Sequence, residues 1–410
     1  SLARRVTRSP SSCASRASSP STPASGPSCD SSWRTRSGFA PGPSHAPRIA
    51  SLRWPKLAAN CASVTVTPSA ASASRHARQW CSRESASVPS RSQRTARGRA
   101  AESRLAVVRV LAVLPEEVLV AQLANKYDTI GIDGVAMVVN DVIRSGARPL
   151  AIADNIHAQV SDPDLVKEWM VGLVKGVAEA GCVVPNGEIG DVPELIKGLV
   201  EGKGFDMVVA SIGEVTSERL ITGKNVKKGD SIVGLQSSGL HSNGISLARK
   251  ILLKQWGGKY EPHDTPEKLE SEIVYEVLEP TRIYVKPLLR LLEEVEVKAA
   301  VHITGEGYAK FDRLKKFSKR TGFEFNNFKP QPVFELVQET ASDLGGTITD
   351  EEMFRTFNMG WGFAVIVDRA EEDKTISLLE RAGVHAEQMG QVTSSAGIKI
   401  LYKKTKIVLK

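Results

Sequence analysis

The residues that could do chemistry sit in short polar runs between apolar segments. The first run is 133–146, Asp-Gly-Val-Ala-Met-Val-Val-Asn-Asp-Val-Ile-Arg-Ser-Gly. Val135, Val138, Val139, Val142 and Ile143 recur at helical spacing and form one apolar face, with Gly146 a suitable stop. Asn140 and Asp141 interrupt that face with an amide and a carboxylate. An acid beside a buried surface is costly unless something pairs with it. The two are therefore either an exposed flank or part of a site. Four later runs favour a site: Asn186-Gly-Glu188, Ser-Ser-Gly-Leu-His-Ser-Asn-Gly at 237–244, His302-Ile-Thr-Gly305 and Thr356-Phe-Asn-Met-Gly360.

The run 237–244 follows a predicted strand and opens a predicted helix. Small residues with exposed N–H groups at a helix start suit an anion, and a plain helix cap is the competing reading. Ser238 and Gly239 would supply backbone, and His241 and Asn243 would add side-chain donors. His302-Ile-Thr-Gly-Glu-Gly307 repeats the arrangement, making Thr304, Gly305 and Gly307 a second phosphate-binding candidate. Asp133, Asp141 and Glu188 offer hard oxygen atoms. Mg²⁺ takes carboxylates with phosphate oxygens and waters, so the set suits a nucleotide triphosphate bridged by Mg²⁺. There is no G-x-x-x-x-G-K-[ST] loop, no dinucleotide fingerprint and no zinc spacing.

The elements that must position these runs alternate between strand and helix without a regular βαβ repeat. The patterns predict strands at 104–114, 149–156, 205–215, 231–235, 298–303, 362–367, 386–392 and 398–402, and a short buried strand at 182–185. Helices are expected at 163–180 behind an Asp162 cap, and at 191–200, 243–253, 281–295, 306–317 and 371–382. The reading is two α+β domains of about 110 and 190 residues, 104–220 and 221–410.

The 410-residue chain has a formal charge of +8, which averages two unlike pieces. Residues 1–100 hold 15 Arg, 1 Lys, 24 Ser and only two acids, Asp30 and Glu84. The rest holds 38 Lys+Arg against 44 Asp+Glu, so the part with core-forming patterns is acidic. Residues 1–103 lack sustained periodicity and apolar runs, and disorder is expected there. A transit peptide, a basic nucleic-acid tail and a natural extension each fit part of that composition. The reading preferred here is a coding-frame error, since Arg, Ser, Ala and Pro are what GC-rich codons give out of frame. A transit peptide comes second, and a nucleic-acid role is disfavoured because Lys and interleaved aromatics are scarce. No apolar run is long enough for a membrane span. Four of the five cysteines lie before residue 100, and Cys182 alone follows, read as a small core residue in a reducing, cytoplasmic setting.

The runs Tyr127-Asp-Thr-Ile-Gly-Ile-Asp133 through Asp141, 237–244, Pro280-Thr-Arg-Ile-Tyr-Val-Lys286, His302-Ile-Thr-Gly305 and Thr356-Phe-Asn-Met-Gly360 resemble the phosphoribosylformylglycinamidine cyclo-ligase (aminoimidazole ribonucleotide, or AIR, synthetase) family. The resemblance extends from about residue 118 to the end of the chain. It implies a two-domain AIR-synthase-like α+β fold whose N-terminal domain is incomplete here. It implies ATP-dependent ring closure of formylglycinamidine ribonucleotide, with Mg²⁺, in a cytosolic homodimer joined through its N-terminal sheets. It implies Asp141 and Glu188 as the metal ligands, with Asp133 and Asn140 beside them at the nucleotide. His241 and His302 become the catalytic candidates, without a division of roles. A related kinase of the thiamine-monophosphate type is the alternative. The family's Asp-Gly-Val-Gly-Thr-Lys is replaced here by Leu111-Ala-Val-Leu-Pro-Glu-Glu-Val118, which also raises the expectation of an inactive homologue. Smaller departures are Asn186-Gly-Glu-Ile for Gly-Gly-Glu-Thr, and Glu306 within the usual Thr-Gly-Gly-Gly.

Overall fold

A computed structural model describes residues 65–68, 105–316 and 321–409. The first domain is a five-stranded sheet of β1 (Thr65–Pro68), β2 (Leu105–Val113), β3 (Arg148–Ala158), β4 (Val183–Asp191) and β5 (Phe205–Thr216), in the order β1-β2-β5-β3-β4. Only β3 and β4 run parallel, joined by a helical crossover. Helices α1 (Pro115–Ala124), α2 (Asp128–Ile143) and α3 (Pro163–Ala180) accompany the sheet. α2 buries the predicted valine face against β2 and β5. Its other side meets α3 backbone to backbone: a Cβ on Gly172 would lie 1.8 Å from the Asp128 carbonyl oxygen, so no side chain fits there. Asp162 caps α3 by accepting from the Asp164 and Leu165 amides, as its place before Pro163 predicted.

The second domain is a seven-stranded sheet in the order β12-β11-β8-β10-β6-β9-β7. Its strands are β6 (Ser231–Gln236), β7 (Ala299–His302), β8 (Gly322–Phe325), β9 (Trp361–Val367), β10 (Ala386–Thr393), β11 (Gly397–Tyr402) and β12 (Thr405–Leu409). Helices α4 (Ile245–Leu252), α5 (Ile273–Val277), α6 (Val285–Glu294), α7 (Pro332–Asp343), α8 (Asp350–Thr356) and α9 (Glu372–Arg381) surround it. β9 is buried at every residue, as a strand covered on both faces must be.

Several expectations need correction. The strand expected at 182–185 is neither short nor buried. It runs to Asp191 at the sheet edge, with Val183 60% exposed, because nothing among the described residues covers that edge. Cys182 is partly buried against the core. Residues 191–200 form no helix. Gln122 of α1 accepts the amides of Leu199 and Val200 instead, at 2.6 and 3.0 Å, and Leu195 is 82% exposed. The helix expected from 281 begins at Val285, because the preceding residues are tied to α2. The helix expected at 306–317 is a 3-10 helix, Gly307–Lys316. α1, α5, α7, α8, β8 and β12 were not anticipated. The disorder expected for 1–103 lies outside the described residues, except at Thr65–Pro68, which pairs antiparallel with β2.

Candidate active site

α2 brings three of the predicted residues together, but with different duties. Asn140 is fully buried and spends its carboxamide on backbone: Nδ2 donates to the Arg282 carbonyl at 2.9 Å and Oδ1 accepts the Tyr284 amide at 2.9 Å. About two turns back on the helix, Asp133 Oδ1 accepts the Thr281 amide at 2.8 Å. These bonds strap residues 281–284 onto α2, so Asn140 and Asp133 both hold backbone. Burial pushes the Asp133 carboxyl up to about 6, against hydrogen bonds from Thr281 and Ser242.

Asp141 faces the second domain. Its Oδ1 lies 3.0 Å from His302 Nδ1 and 3.6 Å from Arg144 Nε. Burial opposes its charge, yet the His302 hydrogen bond with Arg144 and Lys310 holds the carboxyl well below its ordinary range. His302 ends β7, and burial pulls its imidazole pKa down against the attraction of Asp141. Its Nε2 is buried with no partner among the described residues, and the ring stacks on Phe363 at 5.9 Å. Lys310 donates to the His302 carbonyl at 3.2 Å, and burial pushes its ammonium down to about 8.

His241 lies in the loop after β6 with φ of +58°, a left-handed conformation that the surrounding contacts must hold. Its Nε2 accepts the Ser238 amide at 3.0 Å and the Arg282 amide at 3.5 Å. Its Nδ1 has no partner among the described residues. Burial first, then His302 and Arg282, push the imidazole down to about 3. Gly362 of β9 makes room for it: an added Cβ would lie 2.4 Å from His241 Cε1 and 2.3 Å from Tyr284 Oη. Asn243, two residues on, is buried with neither amide atom partnered among the described residues. Buried polar atoms without partners are rare and call for a ligand or water.

The remaining predicted residues shape the loops. Ser238 Oγ donates to the Pro280 carbonyl at 2.5 Å, and the Gly239 carbonyl accepts from Asn358 Nδ2 at 2.9 Å. Thr304 is buried, and its carbonyl accepts the Gly307 amide at 2.5 Å. Gly307 has φ of +52° and packs where a Cβ would meet the Phe354 carbonyl at 2.2 Å. Gly305 is exposed.

Glu188 does not join this group. It lies on the exposed strand β4 opposite Asn155, while the neighbouring Asp154 pairs with Gly187 and is buried. Side chains alternate along a strand, so those two carboxylates project to opposite faces. Asp141 is crowded by His302, Arg144 and Lys310, surroundings that repel a cation. Among the described residues no group of three His, Cys, Asp or Glu could hold a metal ion. The expected pairing of Asp141 with Glu188 around Mg²⁺ therefore does not fit the residues present.

Sequence reasoning missed Arg144, Arg282, Lys310 and Asn358. Arg144 was available as the i+3 partner of Asp141. Asn358 lay inside a run already singled out. It ties the 237–244 loop to β9 by donating to the carbonyls of Gly239 and Leu240 while accepting the Gly360 amide. Glu117 is a further buried acid beside Asp133.

The N-terminal domain of AIR synthase related proteins matches residues 103–215, and their C-terminal domain matches 227–403. The phosphoribosylformylglycinamidine cyclo-ligase of Pyrococcus furiosus is 38% identical over 292 residues, covering 70% of this chain and 80% of that protein. This chain belongs to the phosphoribosylformylglycinamidine cyclo-ligase family. The family member of Methanopyrus kandleri is 43% identical over 256 residues, covering 62% of this chain and 70% of its own. That of Bacillus cereus is 36% identical over 283 residues, covering 69% and 79%. Membership makes the chain an enzyme of the ATP-using cyclo-ligase class. Two solved structures share the fold: the hydrogenase maturation protein HypE of E. coli (TM-score 0.52, 16% identity, 81% of this chain and 92% of that one) and the thiamine-monophosphate kinase of Stenotrophomonas maltophilia (TM-score 0.52, 15% identity, 72% and 85%). Among the described residues no helix is long and apolar enough to cross a membrane.

Proposed function

We propose that the chain closes the imidazole ring of aminoimidazole ribonucleotide from formylglycinamidine ribonucleotide, with ATP converted to ADP and phosphate. The observation that carries this reading is the buried Asp141–His302 pair at 3.0 Å, set beside the His241 loop, with polar atoms of His302, His241 and Asn243 left for a ligand. Phosphorylation of the formyl oxygen turns it into a leaving group. The amidine nitrogen then attacks that carbon, phosphate departs with the bonding electrons, and a proton leaves nitrogen. Such a step needs positioning and proton handling more than covalent chemistry from the enzyme. A Mg²⁺ ion would be held by ATP phosphate oxygens and waters with one or two protein carboxylates, and no step is routed through it.

A homodimer agrees with the exposed apolar positions Leu105, Leu111 and Ile212 on the first sheet, which a second copy would cover. One observation favours an inactive homologue: the stretch Leu111–Val118, which stands in place of the family's Asp-Gly-Val-Gly-Thr-Lys, has no lysine and buries Glu117 next to Asp133. Turnover decides between the two. Incubation with ATP and formylglycinamidine ribonucleotide should yield ADP and aminoimidazole ribonucleotide together. ADP formation driven by thiamine monophosphate instead would point to the kinase branch, and none with either substrate to the inactive homologue.

A further inference from the structure

We infer that His241 and His302 share one neutral tautomer yet present opposite chemistry to the substrate: His302 an Nε2 lone pair, His241 an Nδ1–H donor. The tautomers rest on the hydrogen bonds together with burial, which keeps both rings neutral. Only the substrate atoms they serve rest on the cyclo-ligase reading.

For His241 the argument starts from its backbone partners. A main-chain amide can only donate, so Nε2, which receives Ser238 N–H at 3.0 Å and Arg282 N–H at 3.5 Å, carries a lone pair. Its buried ring, with Arg282 and His302 as neighbours, is neutral. The single ring proton is therefore on Nδ1, the atom left without a protein partner. For His302 the argument starts from Asp141. That carboxylate is kept charged by Arg144 and Lys310, so it can only accept, and Nδ1 at 3.0 Å must donate to it. The lone pair is then on Nε2, again the atom without a partner. Both rings flank β9, His241 against Gly362 and His302 against Phe363.

During ring closure the N–C bond forms as the C–O bond to phosphate breaks, and the electron pair leaves on phosphate. The proton released by the attacking nitrogen passes to His302 Nε2, giving an imidazolium that Asp141 stabilises. His241 keeps its proton and donates a hydrogen bond from Nδ1 to oxygen at the reacting carbon. The division is set by which nitrogen each ring has already committed to the protein.

The test is long-range ¹H–¹⁵N correlation of the full chain labelled at its seven histidines, between pH 5.5 and 8. His241→Asn and His302→Asn identify the two spin systems. Both rings should show a protonated Nδ1 and an unprotonated Nε2 at neutral pH. Asp141→Leu, which can neither accept nor donate, should abolish the His302 preference for a protonated Nδ1 and leave His241 unchanged, a response that loss of folding would not give. A protonated Nε2 on either ring of the unsubstituted protein, or an imidazolium at neutral pH, overturns the inference. Turnover assayed on the same sample keeps the outcomes apart. Correct tautomers without ring closure reject the functional reading only, and ring closure with the wrong tautomer rejects this inference only.

Discussion

The Asn140 side-chain oxygen accepts the Tyr284 amide at 2.9 Å, 144 residues along the chain. With the second bond from Asn140 to Arg282, a single side chain fastens the second domain's strap to the first domain's central helix. Tyr284 in turn donates from Oη to the Gln236 carbonyl and packs its ring against His241. Replacing Asn140 by Ala strands a buried amide and a buried carbonyl. Urea unfolding should show a loss of about 2–4 kcal/mol. A change under 0.5 kcal/mol would mean that the strap is held elsewhere.

Asp141→Asn keeps the size of the side chain but not its charge. Ring-closing turnover should fall by roughly 10²–10⁴, the range expected when an acid–base group loses its orienting partner. Circular dichroism should stay unchanged. Equal turnover in the variant would remove Asp141 from the chemistry.

Gly362→Ala would set a methyl group against Tyr284 Oη and His241 Cε1, at 2.3 and 2.4 Å before relaxation. Both rings are buried and bonded, so His241 must shift. The expected result is a tenfold or greater drop in kcat with a smaller change in KM. A variant with native kcat would show that the exact seat of His241 does not matter.

Glu117 offers a pH test. Burial, then the charges of Asp133 and Glu116, push its carboxyl up to about 8, against a hydrogen bond from Ser242. Arg249 is engaged by Glu116 at 2.6 Å. A raised acid pKa means that the folded state binds the proton more tightly. Glu117 therefore costs nothing below pH 4.5, and stability falls as pH rises from there to about 8. Glu117→Gln should leave stability at pH 4.5 nearly unchanged and raise it at pH 8 by on the order of 4 kcal/mol. Parallel pH profiles for the two proteins would show that the site solvates the charge.

What was legible in the sequence was local. The valine face of α2, the Asp162 cap on α3 and the strands ending at His302 and preceding the 237–244 loop follow from spacing and from caps within a few residues. What was not legible depends on contacts between distant residues. Asn140 and Asp133 read as ligands because an amide or acid in an apolar stripe must be satisfied, but nothing local says that residues 281–284 satisfy it. Helical spacing at 191–200 gave way to Gln122, and β4 looked buried because its valines cannot report which strand lies at the edge. The pairing of Asp141 with His302 spans 161 residues, and the nitrogen each histidine leaves free is fixed only by that tertiary bonding.

Product formation separates a working cyclo-ligase from an inactive homologue. The purified full chain, given ATP and formylglycinamidine ribonucleotide, should form ADP and aminoimidazole ribonucleotide in equal amounts, with ADP release dependent on the ribonucleotide. No aminoimidazole ribonucleotide from a folded sample, or ADP release indifferent to the substrate, would contradict a working cyclo-ligase.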